Sequence, residues 1–299
     1  MFKTFDELFA HLKTKGKERV VVAGGEDIEA VTAVKRSYDY GFGTAVLVGD
    51  KSKIEQTLSQ FENTDFVEKI VGVKNEIEKG TVAVREVKSN GGILLKGQIK
   101  TAYLLKAVLD KENGLRTDKL ISDVFVFEDT SVSNKLVLMS DGGVNINPDL
   151  NGLVAIIENA VSVANKLGTD TPKVALLSAV EVVNPDMEDT ENWALISKMN
   201  ERGQIKDCIV DGPLALDNAI SEYAAKKKGI QSEVAGFADI LIVPNITVGN
   251  VFGKALSYYA KFKNAHIIVG TQVPVMIPSR ADKSEVKFNS IALAIASKN

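Results

Sequence analysis

The sequence predicts a mostly parallel α/β protein built in two halves. Three observations carry this: short β-branched runs alternate with amphipathic stretches from residue 19 onward, the alternation breaks at 121–140, and 299 residues exceed one ordinary core. Residues 19–23, Arg-Val-Val-Val-Ala, read as a buried strand. Ile28, Val31 and Val34 then place three apolar side chains on one helix face, and Gly41 ends that helix. Residues 44–48 form the next apolar run and 51–61 the next helix, with further strands at 69–73, 93–95 and 123–127. Between 123–127 and a second run at 136–139 lies a polar stretch too short for a crossover helix, so either a close antiparallel pair or a crossing between domains is expected there. Alternation resumes with helix 150–167, strand 174–177, helix 188–202, strand 208–210, helix 216–227, strand 240–243, helix 248–262, strand 266–269 and a helix after Asp282. No low-complexity linker or fixed-period repeat marks the boundary between the halves.

Hydrophobic residues make up 45% of the chain and charged residues 25%, the balance of a globular enzyme or binding protein. The net charge of −3 arises from 36 basic and 39 acidic side chains mixed along the sequence, which leaves no basic face for a nucleic acid. Cys208 stands alone, so an intrachain disulfide and a multi-cysteine metal site are both ruled out, and a reducing cytoplasm is the expected compartment. The N-terminus has no signal-like apolar region, and no apolar run approaches the ~20 residues needed to cross a bilayer. A soluble, untargeted chain without a membrane partner is expected.

Familiar nucleotide signatures are missing. No phosphate-binding loop of the G-x-x-x-x-G-K-[ST] form occurs, and Gly41-Phe42-Gly43 lacks the third glycine of a dinucleotide fingerprint. Gly24-Gly25, between the first strand and first helix, could present amides to an anion or simply form a tight turn. His11 and His266 have no histidine or cysteine spaced to share a metal, and both read as structural. Cys208 sits in an apolar strand context that predicts an inert thiol, and no G-x-S-x-G elbow supports a serine nucleophile.

Four stretches are richer in Gly, Asn, Pro and Asp than strand-to-helix connections require: 140–148, 211–213, 243–250 and 278–282, each following a predicted strand. Ligands of open α/β sheets bind at carboxyl ends of strands, where helix N-termini aim their amides. The same residue types also make turns and caps, so each stretch has a structural reading as well. Ser279-Arg280 is the most specific pair, since a guanidinium beside a hydroxyl ahead of a helix suits a phosphate or acyl phosphate. Asn245 and Asn250 add neutral donors, and Lys254 adds a charge one turn further on.

Taken together, Asp211-Gly212-Pro213-Leu214 with Asp217, the run 238–245 (Ala-Asp-Ile-Leu-Ile-Val-Pro-Asn) and Ser279-Arg280-Ala281-Asp282 resemble the phosphate acetyl/butyryltransferase family in order and spacing. Lys96-Gly97 and the Asn-x-Asn-Pro of 145–148 fit the same pattern, and the resemblance runs over nearly the whole chain. The short length and the Ser-Arg-Ala-Asp form are closer to the butyryl branch than to the acetyl branch. The resemblance implies two α/β/α domains with mostly parallel sheets, similar to isocitrate and isopropylmalate dehydrogenases, with the active-site cleft between the domains. The first domain would comprise 1–130 plus 268–299, and the second 131–267. A homodimer or higher homo-oligomer is implied.

The implied reaction is the reversible conversion of acyl-CoA and phosphate into acyl phosphate and CoA, with butyryl the favoured acyl group and no metal or other cofactor. Arg280 would clamp phosphate, and Ser279 would donate to phosphate or to the developing oxyanion. Lys96 and Lys283 would meet phosphates of CoA, and Asn245, Gly249 and Asn250 would line the crevice. Asn145, Asp211, Gly212, Pro213 and Lys254 complete the substrate-binding set. One departure stands out: the acetyl branch carries an aspartate seven residues after the motif serine, where this chain has Val286. The neighbouring carboxylates are Asp282, which could instead cap the following helix, and Glu285, which a helix would turn ~100° from that position. The proton acceptor therefore stays open between Asp282 and Glu285. Three alternatives remain: acetyl or another short-chain specificity, a non-catalytic CoA- or phosphate-binding module, and a fold-related dehydrogenase.

Overall fold

The computed structural model describes residues 2–279 and 281–298. The chain forms two compact units, one of residues 6–119 with 265–299 and the other of residues 1–5 with 120–264. In chain order the first unit begins with α1 (Phe5–Lys13), β1 (Glu18–Ala23), α2 (Ile28–Asp39), β2 (Gly43–Gly49), α3 (Lys51–Leu58), β3 (Val67–Gly72), α4 (Glu76–Asn90), β4 (Ile93–Lys96) and α5 (Thr101–Val108). The second unit holds β5 (Ser122–Asp129), β6 (Lys135–Ser140), α6 (Leu150–Lys166), β7 (Lys173–Leu177), α7 (Glu188–Glu201), β8 (Ile209–Leu214), α8 (Leu216–Ile220), α9 (Glu222–Lys227), β9 (Ile240–Ile242) and α10 (Ile246–Ala255). A π-helical turn, Leu256–Ala260, extends α10. The chain returns to the first unit through β10 (Asn264–Val269), β11 (Val275–Met276) and α11 (Ser284–Ser297).

The first unit's strands lie in the order β3-β2-β1-β4-β11-β10, all neighbours parallel except β10 and β11. Helices on both faces explain why β1, β2 and β4 are unbroken apolar runs: Val20 to Val22, Val46 to Val48 and Ile93 to Leu95 are all fully buried. Side-chain oxygens of Asp27, Asp50 and Asn75 cap α2, α3 and α4, fixing where each helix leaves its loop. α11 packs on α2, and Phe288 joins Phe9 and Phe42 in an aromatic cluster with the Arg36 guanidinium 4.2 Å from its ring.

The second unit's strands run β5-β6-β9-β7-β8, parallel except for the β5–β6 hairpin. The apolar pair at 121–140 is thus an antiparallel ladder, which keeps β5 with its partner and puts the division of the chain at 119/120, upstream of the 130 boundary. Asp129 closes the hairpin by accepting hydrogen bonds from the amides of Ser131, Val132 and Ser133 and from both serine hydroxyls. Burial alone would raise this carboxyl, but those donors outweigh it and hold it at about 2. A depressed carboxylate stabilises above its unfolded value and loses that contribution as pH falls toward the folded one. Asp129→Ala is expected to cost about 1–2 kcal/mol at pH 7, after allowance for solvent screening, with the deficit shrinking between about pH 4 and pH 2; urea melts across that range measure it.

Three local departures have physical causes. The expected helix 216–227 is two helices broken at Ser221, whose extended backbone (φ −116°, ψ 113°) lets its hydroxyl cap α9. The expected strand 208–210 runs on to Leu214, so Asp211-Gly212-Pro213 lie inside β8 rather than in a loop after it. β8 is an edge strand, where a proline removes no needed ladder bond. α4 and α5 are not evident in the sequence: the apolar positions of α4 are interleaved with charges and a glycine, and α5 is only eight residues long. Among the described residues no helix is long and apolar enough to cross a membrane.

Candidate active site

In the first unit β1, β4 and β11 run parallel side by side, and the strand order reverses between β1 and β4. Such a reversal opens a crevice at the carboxyl ends of the strands. A cavity of about 380 Å³ lies there, walled by Asp27, Lys96, Lys100, Pro278, Ser279 and Lys287, with Glu76 and the 97–99 backbone completing it. Gly24-Gly25 shapes this crevice as a turn rather than as an anion cradle: both amides donate to the Val48 carbonyl, at 2.8 and 3.0 Å. Gly24 has φ +88°, and a Cβ there would stand 2.5 Å from the Gln98 backbone, so only glycine lets the β1 and β4 loops touch.

The Ser279 loop is held as a closed turn. Its amide donates to Asp282 Oδ2 at 2.7 Å, the Asp282 amide donates to the Ser279 carbonyl at 3.1 Å, and the Ala281 amide reaches Ser279 Oγ at 3.4 Å. His266, on β10, places Nε2 3.6 Å from the same Asp282 oxygen. Burial pushes the Asp282 carboxyl up, but the His266 side chain and the Ser279 amide outweigh it, so the group stays below the ordinary carboxylate range. A carboxylate so engaged is a poor proton acceptor and a good positioning group. Nor does Asp282 cap α11; the N-cap is Lys283, and the Ser284 amide donates to Glu29. Lys283 and Glu285 are exposed at the start of α11 and do not line the cavity. Arg280 lies outside the described residues.

The second unit has its own, larger cavity of about 1220 Å³ at the carboxyl ends of β7 and β9. Its walls are chiefly apolar, with Leu177, Trp193, Leu216, Val248 and Phe252 among them, and Asn245 contributes a polar edge. Asn245 also caps α10 through the Val248 amide. Gly249 and Asn250 serve the packing of α10 on the 141–142 backbone: a Cβ on Gly249 would stand 2.7 Å from the Asp141 carbonyl, and Asn250 Nδ2 donates to the Gly142 carbonyl at 3.3 Å. Asn145 donates to Asp141 at 2.6 Å and to the Ile121 carbonyl, while the Gly143 and Val144 amides also donate to Asp141. Burial, then repulsion from Asp123, keeps the Asp141 carboxyl above its ordinary value despite those donors. Asp211 accepts from the Gly212 amide and faces α7, beside neither cavity, and Lys254 projects from α10 exposed. Burial and the charge of Asp207 push the Cys208 thiol up to about 11, as suits an inert core cysteine.

Residues 64–295 match the Phosphate acetyl/butaryl transferase family. The phosphate butyryltransferase of Clostridium beijerinckii is 44% identical over 303 residues, covering 100% of both chains. The chain belongs to this family. A phosphate acetyltransferase of Thermotoga maritima is 46% identical over 290 residues, 97% of this chain and 98% of that one. Among solved structures, a branched-chain phosphotransacylase from Enterococcus faecalis superposes with a TM-score of 0.82 at 33% identity, over 94% of this chain and 98% of that chain.

Within this phosphate acetyl/butaryl transferase fold the sequence reading found Ser279 and Lys96, which the fold brings to one cavity although they are far apart in sequence. It missed Lys287, Asp27 and His266. Lys287 left a faint signal, a lysine in the otherwise apolar and small-residue face of the last helix. Asp27 caps α2 and carries no sequence mark of a second role, and nothing in the sequence couples His266 to Asp282.

Proposed function

We propose that this family member catalyses reversible transfer of a short acyl group between CoA and inorganic phosphate, with butyryl as its preferred acyl group. The observation that carries the reading is the Ser279 turn opening on a cavity with two buried lysines at the strand-order reversal. A phosphate oxygen attacks the thioester carbonyl carbon, the C–O bond forms, and the C–S bonding pair leaves with sulfur as the CoA thiolate. Ser279 Oγ donates to the phosphate or to the oxyanion, and Arg280 clamps the phosphate through its planar fork. A thiol of pKa ~8.5 leaves readily as thiolate, so a dedicated acid or base contributes modestly, consistent with Val286 where the acetyl branch carries an aspartate. No metal or prosthetic group enters this scheme.

The second unit's apolar cavity and Asn245 are assigned to acyl-CoA, and Lys283 to its phosphates. Identities of 44% to a butyryl enzyme and 46% to an acetyl enzyme do not separate acyl lengths. The butyryl assignment rests instead on the Ser-Arg-Ala-Asp form of residues 279–282. We also propose a cytoplasmic location and a homodimer, the dimer supported by Tyr258 and Tyr259, large side chains left exposed on the π turn after α10. The two-domain isocitrate dehydrogenase-like architecture, with the C-terminal segment completing the first unit, belongs to the same reading.

The test is release of CoA from C2 to C6 acyl-CoAs with and without phosphate. The expected result is strictly phosphate-dependent release, fastest with butyryl-CoA. Release that ignores phosphate would make the protein a thioesterase. Arg280→Ala is expected to raise the phosphate KM about a hundredfold, the loss of a bidentate charged contact.

A further inference from the structure

We infer that Lys287, together with Lys96, is the cation site for the reacting phosphate, and that Asp27 holds Lys287 in place for that role. This rests on the acyl-transfer reading and takes Lys96 away from the phosphates of CoA.

Lys287 is 3% exposed and Lys96 5% exposed, yet both line the Ser279 cavity. Burying an ammonium is costly, and a buried ion pair at best roughly balances that cost, so a methionine would serve the α11 core at least as well. Stability does not explain a lysine here. The hydrogen bonds of its ammonium among the described residues run to a single group, the Asp27 carboxylate, at 3.2 and 3.1 Å. An ammonium has three donors, so one carboxylate leaves capacity for a ligand in the cavity. Asp27 is itself pinned, because its Oδ1 also accepts from the Ala30 amide at the start of α2. The carboxylate therefore fixes the lysine without leaving the loop that carries it.

Among the described residues the other charges on this wall are Lys100 and Glu76, and Glu76 already accepts from the Lys100 amide. Three lysines thus face two engaged carboxylates, which suits an anion. At about 380 Å³ the cavity is at the small end of ligand sites, with room for a phosphate and a few waters. Ser279 stands on its rim, where the same phosphate would meet the hydroxyl.

The experiment measures KM for phosphate and for butyryl-CoA separately, alongside calorimetric titration with inorganic phosphate. Lys287→Met is expected to raise the phosphate KM about ten- to hundredfold and weaken phosphate binding equally, with the butyryl-CoA KM within about twofold of the parent. Lys287→Arg should recover part of the loss. The double variant Asp27→Asn with Lys287→Met leaves no orphaned carboxylate and should fold with the same phosphate defect. Parental phosphate KM in the double variant would overturn the inference, and so would a rise confined to butyryl-CoA, which would place Lys287 with the phosphates of CoA. Should the parent protein release CoA without phosphate, the acyl-transfer reading fails, while phosphate binding that is lost in Lys287→Met still upholds the site.

Discussion

Asp282→Ala is expected to lower kcat/KM about a hundredfold, while Asp282→Asn stays within about tenfold of the parent. The contrast follows from what the side chain does. Asp282 accepts the Ser279 amide at 2.7 Å and faces His266 at 3.6 Å, so alanine frees the turn that presents the serine. Misplacing a reacting group by about 1 Å costs on the order of a hundredfold. Asparagine retains a carbonyl oxygen for the Ser279 amide and gives up only the charge. A proton-accepting role predicts a different pattern, an equal collapse in both variants and loss of the acid limb of the pH profile. Asp282 is held below the ordinary carboxylate range, burial being outweighed by His266 and the Ser279 amide. The stability it contributes is therefore present above the unfolded carboxylate pKa and lost as pH falls through the lower folded value. Steady-state kinetics of both variants from pH 5 to 8, on the order of the usual working range, separate the two roles.

The largest stability effect is expected at Gly24. With φ at +88°, any side chain costs about 1–2 kcal/mol in backbone strain. An alanine Cβ would also stand 2.5 Å from three backbone atoms of Gln98, and relieving that overlap costs about 1–3 kcal/mol more. The sum, about 2–5 kcal/mol, corresponds to a fall in Tm on the order of 10 °C. Because the obstacle is backbone, relief must displace the 97–100 loop that walls the Ser279 cavity, so on the proposed reading the phosphate KM should rise in whatever fraction stays folded. Gly203→Ala is the control: its φ is +73° but nothing lies within 4 Å of the added carbon, so strain alone operates. Thermal unfolding of the two variants should differ clearly; equal melting points would refute the close contact of the β1 and β4 loops.

The strands of the first unit were legible because they are covered on both faces and need continuous apolar runs, as in β1, β2 and β4. Asp211-Gly212-Pro213 misled, since turn-forming residues read as a loop whether or not an edge strand can absorb them. Ser279 stands out as a hydroxyl beside a guanidinium ahead of a helix, whereas Lys96 enters only through the family resemblance. Their meeting at one cavity depends on β11 pairing beside β4, and a two-residue strand carries no periodicity to announce itself.

By itself the sequence determined the α/β alternation, the antiparallel exception at β5 and β6 as one of two options, the family and the Ser279 motif, all of which are local patterns in chain order. Tertiary structure alone decided that Gly24 is a packing turn, that Asp282 holds Ser279 rather than capping α11, and that Lys287 meets Asp27 across 260 residues. The reason is physical: charge pairing, burial and backbone contact depend on distance in space, and a residue's neighbours along the chain do not fix which distant side chain will share its cavity.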